Sequence, residues 1–517
     1  MPPSQEINHA SRFNARRRKR SPDVRRLRRG ADVGRFADPS QTIGATIQHQ
    51  APAVLISRYF ASQNGFPAQE STTVNDLVRR YARLQVPRYT SYPTAAEFTP
   101  AVASADQQRW LRDLDTTEAV SVYLHVPYCR DLCLYCGCNT KKAMRDDVIA
   151  SYRVALEREI ALVSDALSGP VRIARLHWGG GTPSILGADG LGSVMQVLRS
   201  HFVFENGYEH AIELDPRYVT PLLAASLKEL GVSRASLGVQ DVNPLVQVAI
   251  GRWQPMQDVE AAVLRLRANG IHNLNFDLIY GLPLQTIASL RKTCEIVAML
   301  SPDRIACYGY AHMPRLKANQ RRIDESTLPG VEERIDQAAA IAEEFLRHGF
   351  LKIGIDHFAR PDDALARAAM SGRLHRNFQG YTDDGRETLI GLGASSISRF
   401  GNGYVQNISD VPNYVRAIAG GRLASSRGCR LDAAEKQRAR TIESLMCLFQ
   451  ADLDATAPDM EFAEELSLLQ PLVRDGLVHV EGRVVTATDL GCQVVRVIAA
   501  VFDPHTRADS ARFSKAV

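Results

Sequence analysis

Four of the nine cysteines, Cys129, Cys133, Cys136 and Cys138, crowd into the stretch YCRDLCLYCGC at 128–138. The first three are separated by three and then two residues. Three thiolates so spaced on one loop can hold three corners of an iron–sulfur cube and leave the fourth iron open to a small molecule, whereas clusters that only carry electrons normally have four cysteine ligands. The competing use is zinc. Cys138 would complete a four-sulfur shell, although structural zinc favours Cys-x2-Cys pairs. An odd number of cysteines in a long chain argues against a disulfide scaffold and for a reducing compartment.

Other residues carry chemistry of their own. In GGGTP at 179–183, glycines let a backbone approach a ligand, and free N–H groups there can hold a carboxylate; the plainer reading is a tight strand-to-helix turn. Glu213 ends an apolar run with Asp215 two residues on, and a buried carboxylate needs a cationic or hydrogen-bonding partner. Arg88 and the tyrosines of PRYTSYPT (87–94) suit an acidic, flat ligand, through bidentate guanidinium contacts and ring stacking. Against that stands a proline-stiffened linker. His375, Arg376 and Asn377 offer further carboxylate contacts. His125 lies on one strand face with Tyr123, and a lone strand histidine is commonly structural. Cys294, Cys307, Cys429, Cys447 and Cys492 sit in apolar surroundings and read as core filling.

These residues need a frame. Apolar strand patterns at 120–126, 173–178, 210–214, 234–239, 273–279 and 304–310 alternate with amphipathic stretches. One of these is 148–167, with Tyr152, Leu156, Ile160 and Val163 at helical spacing. Six strand-then-helix units predict parallel strands with right-handed crossovers. They are too few for a closed eight-stranded barrel, so the expected fold is α/β, an open, partial (β/α)6 TIM-like barrel with its site at the C-terminal strand ends. Past about residue 430 helical patterns dominate. A helix at 466–476, kinked or restarted by Pro471, precedes a hairpin of 477–480 and 484–486, giving a mostly helical C-terminal domain with a winged-helix-like end. It has no concentrated basic face, which favours packing or substrate covering over DNA binding. The expected organisation is a disordered basic extension at 1–75, a substrate-covering segment at 76–118, the barrel at 119–355, a connection lining the active site at 356–429, and the helical domain at 430–517.

The 517 residues are 45% hydrophobic and 23% charged, ordinary for a soluble globular protein, and no apolar run is long enough to cross a bilayer. The net charge of +5 is concentrated at the start. Residues 1–30 hold ten Lys/Arg, including Arg16-Arg17-Arg18-Lys19-Arg20, against two acids. The folded body is therefore close to neutral, and the basic tail is no evidence that it binds nucleic acid. Three readings of that tail stay open: an unstructured extension or mis-set start, an Arg-rich transit peptide, and an arm for anionic surfaces.

The Cys-x3-Cys-x2-Cys spacing after a first strand, with Tyr135 before the third cysteine, resembles the radical S-adenosylmethionine (SAM) superfamily. Within it, Cys138 and the blocks PRYTSYPT (87–94), HWGGGTP (177–183), GVQD (238–241), DLIYGLP (277–283) and HRNFQGYT (375–382) resemble the oxygen-independent coproporphyrinogen III oxidases over about residues 75–517. The resemblance implies a [4Fe–4S] cluster on Cys129, Cys133 and Cys136, with Cys138 adjacent and not a ligand, and two SAM molecules. Tyr123, Gly137, Gly180 and Ile397 match family positions around the first SAM, and the glycine turn would hold its amino-acid part. Glu213 would meet a SAM ammonium or ribose. Gln240 at the end of the fourth strand, Arg252 on the following helical segment, and Asp277 in the fifth strand would contact the second, with Tyr135, Gly181, Thr182 and Ala311. No catalytic residue is assigned.

The implied reaction is anaerobic oxidative decarboxylation of the ring A and B propionates of coproporphyrinogen III to the vinyl groups of protoporphyrinogen IX, by a 5′-deoxyadenosyl radical. No side-chain base near neutral pH removes an unactivated C–H hydrogen as a proton, so a cofactor must supply the power. The implied setting is a cytoplasmic monomer in haem biosynthesis, served by a flavodoxin- or ferredoxin-like reductant and an electron acceptor, with no nucleic-acid or membrane partner. Two other readings are a haem-binding chaperone of the same family and a zinc-binding, nucleic-acid-associated protein. Such chaperones typically lack Cys138 and the 87–94 and 375–382 blocks, and the alternating β/α body argues against the zinc protein.

Overall fold

The structure, a computed structural model, describes residues 72–507; the expectations for the basic extension fall outside the described residues up to residue 71. The expected strands form β1 (Val120–Val126), β2 (Arg172–Gly180), β3 (Val203–Leu214), β4 (Arg234–Gln240), β5 (Asn273–Tyr280) and β6 (Arg304–Gly309). Each pairs in parallel with the next. Between them run α1 (Asp146–Asp165), α2 (Gly187–His201), α3 (Pro221–Glu229), α4 (Met256–Ala268) and α5 (Ile287–Met299), and α6 (Val331–Arg347) follows β6. Local chemistry sets the helix ends. Asp146 and Asp147 favour the positive end of α1, and the Thr220 hydroxyl accepts from the Leu223 N–H ahead of Pro221 at the start of α3.

The sheet extends beyond the six strands. β7 (Leu351–Ile353) and β8 (His357–Ala359) add antiparallel beside β6. β9 (Leu389–Leu392) pairs parallel to the other side of β1, followed by antiparallel β10 (Ile397–Phe400), β11 (Gly403–Asn407) and β12 (Ser425–Arg430). The order is β12-β11-β10-β9-β1-β2-β3-β4-β5-β6-β8-β7, an open 12-stranded sheet. Residues 356–429, expected as a connection, thus contribute strands to the barrel sheet. At four residues β9 is too short for its alternation to register. β3 begins at Val203, where a half-exposed stretch mixing Val203, Phe204 and Tyr208 with Glu205, Asn206 and Gly207 carries no continuous apolar pattern, and β6 stops at Gly309.

Alternation sorts each strand into two sets. Val120, Val122, Leu124 and Val126 face the helices in the main core, while Ser121, Tyr123 and His125 face the barrel interior. The bottom of that interior is ionic. Arg175, Arg234 and Arg304 meet Glu209, Asp363, Asp383 and Asp384 at 2.5–3.8 Å. Burial works against the Asp383 carboxylate, yet Arg175 and Arg304 hold its pKa down at about 2. The floor is closed by paired charges, where barrels of this kind use aliphatic layers.

A second core joins the helix Ala433–Leu448, the C-terminal elements, and Val78, Val86, Tyr89 and Tyr92 of the N-terminal segment. The helix expected at 466–476 is interrupted near Pro471, as Ala463–Leu468 and Gln470–Arg474. The hairpin is Val478–Glu481 with Val484–Ala487, joined by Gln450–Asp452 into a three-stranded sheet. Among the described residues no helix is long and apolar enough to cross a membrane.

Candidate active site

A cavity of about 960 Å³ opens at the C-terminal ends of β1–β6. The cluster and SAM positions implied by the resemblance all line it, with Arg88, Arg376 and Asn377, whereas Tyr89, Tyr92 and His375 do not. Cys129, Cys133, Tyr135, Cys136 and Gly137 come from the loop after β1, Tyr123 from β1, and Gly180, Gly181 and Thr182 from the end of β2. Glu213 comes from β3, Gln240 from β4, Asp277 from β5, Ala311 from beyond β6 and Ile397 from β10. Arg252 also lines it, but from the turn between the helix Pro244–Ala249 and α4 and not from a helix; Gly251, at φ +63, breaks the helical path before it.

The cysteine loop is tied down by its backbone. The Asn319 side-chain amide donates to the carbonyls of Cys133 (3.1 Å), Leu134 (3.0 Å) and Cys136 (3.0 Å). Gln320 donates to that of Tyr135 (2.7 Å) and Lys317 to that of Cys138 (3.0 Å). The Leu134 N–H donates to the Ile250 carbonyl at 2.9 Å. Donors also reach the sulfurs. The Thr182 hydroxyl lies 3.5 Å and the Thr140 hydroxyl 3.3 Å from Cys129 Sγ, and Arg252 Nη1 donates to Cys133 Sγ at 3.4 Å. The hydrogen bond to Cys138 pulls the Cys136 thiol down to about 7. Cys138 itself is exposed.

The glycine turn packs too closely for any side chain. A Cβ at Gly179 would lie 2.6 Å from Glu213 Oε1, at Gly180 (φ +107) 2.5 Å from the His125 ring, and at Gly181 2.4 Å from the Tyr128 carbonyl. Its N–H groups are used inside the protein. Gly180 donates to Glu213 Oε2 (3.1 Å), Gly181 to Val126 O and Thr182 to Tyr128 O (2.8 Å each). The N–H groups offered as free donors are therefore already bonded, and the turn is the tight strand-to-helix kind. Glu213 finds its partners in Gly180 and in His177 Nε2 at 3.2 Å. His125 is buried between Tyr123 OH (3.1 Å) and the Asn139 carbonyl (3.0 Å), a positioning role.

On the far wall Arg252 links Cys133 to Asp215 (3.2 Å) and to the Gly238 carbonyl (2.7 Å). Burial raises the Asp215 carboxylate, but Arg252 and Arg217 outweigh it and its pKa falls below the ordinary range. Gln240 adopts φ +68, a conformation costly for a side-chain-bearing residue, and its Nε2 would lie 2.8 Å from a Cβ at Gly238. Burial pushes Asp277 up to about 6 against hydrogen bonds from Ser236 and Asn275 (2.8 Å each). Above the cavity, Arg376 donates to the Tyr89 carbonyl (3.1 Å) and lies over the Tyr381 ring at 4.3 Å, pinning the 87–94 segment to the 375–382 hairpin. Two of its nitrogens are therefore committed to backbone carbonyls, which the expectation of a plain carboxylate ligand did not foresee.

Residues 123–297 match the Radical SAM superfamily model. The oxygen-independent coproporphyrinogen III oxidase of Bradyrhizobium diazoefficiens is 42% identical over 447 residues, 86% of this chain and 99% of that protein. The chain belongs to the oxygen-independent coproporphyrinogen III oxidase family. The Pseudomonas aeruginosa relative of the same name is 37% identical over 452 residues, covering 86% and 98%. A solved structure described as coproporphyrinogen III oxidase from Escherichia coli, a radical SAM enzyme, aligns with TM-score 0.78 and 36% identity over 82% of this chain and all of that one.

Radical SAM membership brings a [4Fe–4S] cluster and SAM. The donor set fits the cluster. Cys129, Cys133 and Cys136 line one wall, and hydroxyl and guanidinium donors point at two of their sulfurs, the hydrogen bonding that tunes such clusters. Among the described residues no three His, Cys, Asp or Glu side chains converge on a single metal ion; a cubane needs its thiolates spread over three irons. Sequence reasoning missed the Asn319–Gln320 clamp, which lies on a 3-10 turn without periodicity, and the ionic floor. The floor residue Arg175 sits two positions before His177 on the same strand face.

Proposed function

We propose that this protein is the radical SAM enzyme that oxidatively decarboxylates the ring A and B propionates of coproporphyrinogen III to protoporphyrinogen IX in haem biosynthesis. The observation that carries the reading is that one cavity joins the cysteine loop, the glycine turn and the 87–94 and 375–382 segments, the blocks peculiar to this family. Cys129, Cys133 and Cys136 hold the cluster. Tyr123, Gly137, Gly180, Glu213 and Ile397 surround the first SAM. Tyr135, Gly181, Thr182, Gln240, Arg252, Asp277 and Ala311 surround the second. When bound, cluster and SAM supply a reductively generated carbon radical able to take hydrogen from the propionate β-carbon, after which CO2 leaves and one electron passes to an acceptor.

The chain's own part is placement and exclusion. Glu213, already turned toward the cavity by Gly180 and His177, offers an anion to the SAM ammonium or ribose. The bare edge at Gly179–Gly181 lets SAM lie close. Residues 76–118 cover the chamber, 119–355 with 356–429 build its walls, and 430–507 backs the cover. A shielded chamber protects the radical from water and oxygen. The protein works as a cytoplasmic monomer and takes its electron from a flavodoxin- or ferredoxin-like carrier, without nucleic acid or membrane.

An anaerobic assay of the reconstituted, reduced protein with SAM and coproporphyrinogen III tests this, quantifying protoporphyrinogen, methionine and 5′-deoxyadenosine together. Vinyl product that vanishes in Cys133→Ser is expected. SAM cleavage without vinyl product, or bound haem without turnover, overturns the reading.

A further inference from the structure

One imidazole on the cavity wall is assigned neither to the cluster nor to either SAM. His357 opens β8 opposite Ala306 of β6, and both it and the preceding Asp356 line the cavity. His357 is 5% exposed, and its ring stands between two aromatic rings that it meets edge to face, Tyr308 at 5.6 Å and Tyr381 at 5.3 Å. Neither hydroxyl serves it. Tyr308 donates to the Gln379 carbonyl at 3.2 Å and Tyr381 to the Met446 carbonyl at 2.8 Å. Gly380, at φ +130, leaves room along the far edge of the ring, because a Cβ there would lie 2.9 Å from both Cε1 and Nε2.

The tautomer is fixed from one side. His357 Nδ1 lies 2.7 Å from Asp356 Oδ1. The Asp356 backbone carbonyl accepts from the Cys307 N–H at 2.8 Å, and its carboxylate lies 3.9 Å from Arg376 Nη1. Burial works against that carboxylate, yet Arg376, His357 and Arg88 bring its pKa down to about 2. An ionised carboxylate has no proton to give, so Nδ1 carries the hydrogen, and in the neutral ring Nε2 is left with a lone pair. Among the described residues no donor meets that nitrogen.

We propose that His357 Nε2 accepts a hydrogen bond from a pyrrole N–H of the bound tetrapyrrole, with Asp356 as the positioning residue that fixes its tautomer. The proposal rests on the function proposed above and specifies how the site reads the reduced state of its substrate. A propionate carboxylate is itself an acceptor and would face a lone pair at this nitrogen. Every pyrrole of a porphyrinogen carries an N–H, and the saturated bridges let each ring tilt so that its N–H reaches an acceptor outside the macrocycle. In the planar, conjugated porphyrin half of the nitrogens are imine acceptors, and the remaining N–H groups point at the centre of the ring. An acceptor on the chamber wall therefore favours the reduced macrocycle, because only that ligand can satisfy it.

The test is anaerobic ultrafiltration of the cluster-loaded protein, without reductant or SAM, against coproporphyrinogen III and coproporphyrin III in parallel, with the free ligand oxidised afterwards and measured by porphyrin fluorescence. The two ligands carry the same propionates and differ only in the macrocycle. His357→Phe keeps an aromatic ring between Tyr308 and Tyr381, and it should weaken coproporphyrinogen roughly tenfold, for one lost hydrogen bond, with coproporphyrin little changed. His357→Gln retains an acceptor oxygen and should recover part of the loss. Asp356→Asn lets the imidazole carry its hydrogen on Nε2 and should lower the ratio of the two affinities in the same direction, which keeps the test decisive if phenylalanine disturbs the wall. Equal loss for both ligands in His357→Phe marks a propionate contact, and an unchanged ratio in both His357→Phe and Asp356→Asn marks a structural histidine; either result overturns the assignment. If the unsubstituted protein binds neither tetrapyrrole, the functional reading falls and the assignment with it.

Discussion

Removing the Asn319 amide should free the cluster loop while sparing the fold. Its two N–H groups serve three carbonyls, those of Cys133, Leu134 and Cys136, at 3.0–3.1 Å. Two N–H groups sharing three acceptors amount to about two hydrogen bonds. Leaving their acceptors unpaired costs about 1–3 kcal/mol each in a buried setting. Asn319 is half-buried, so water replaces part of the loss, and about 2 kcal/mol, roughly 30-fold, is expected. That penalty falls on the loop conformation that presents the thiolates, so it should appear as cluster loss to a chelator about 30-fold faster in Asn319→Ala, followed by visible absorbance. Thermal unfolding of the metal-free protein should be little changed. Asn319→Asp is the sharper variant, because its volume is nearly conserved while a carboxylate is aimed at three carbonyl oxygens. It should lose cluster faster than the alanine variant. If alanine retains the cluster like the parent, or aspartate behaves like asparagine, the clamp does not hold the loop.

Gly181→Ala would place a methyl 2.4 Å from the Tyr128 carbonyl, a backbone atom that cannot swing away, and should lower the melting temperature markedly, whereas Gly137→Ala meets nothing within 4 Å and should melt like the parent. Arg304→Met removes the 2.5 Å partner of Asp363 and one of two partners of Asp383, while Arg234 and Arg175 remain beside them, and should cost about 1–3 kcal/mol in denaturant unfolding. The Asp383 pKa is lowered to about 2, so its contribution is complete above the unfolded carboxylate pKa of about 4 and is lost as pH falls toward 2; Asp383→Asn should flatten stability over that window. Glu159 shows the opposite sign. Burial raises it to about 7 despite donors from Tyr414, Gly393 and Asn407, so its contribution is complete below the unfolded value of about 4 and fades as pH rises through 7, a slope that Glu159→Gln should abolish in pH-dependent melts.

The six barrel strands were legible because apolar residues recur at every second position along runs such as Val120–Val126 and Asn273–Tyr280, and their turns stand next to glycines and cysteines. The cavity wall was legible for the same reason, since Cys129, Gly180, Glu213 and Gln240 lie at or just beyond strand ends. Contacts between distant segments without a pattern of their own were not. Asn319 and Gln320 grip carbonyls 183–186 positions away, and Arg376 reaches Tyr89 across 287. The glycine turn misled in one respect, because its chemistry is close packing and its N–H groups are already bonded.

Parity would have exposed the floor. Arg175, Glu209, Arg234 and Arg304 stand two residues before His177, Ala211, Ser236 and Ala306, on the strand face that turns inward. Charges at inward positions of β2, β3, β4 and β6 cannot be solvated one by one inside a barrel, so they must pair with one another. Pairing them closes the bottom of the chamber and leaves the C-terminal end as the way in. There the path is crossed by the 87–94 segment, which Arg376 ties to the barrel side through the Tyr89 carbonyl and which Tyr89 ties to the C-terminal domain through Asp503 at 3.0 Å. One guanidinium thus joins the cover to the chamber. The cover is therefore held from both sides at Tyr89, through its carbonyl by the barrel side and through its hydroxyl by the C-terminal domain.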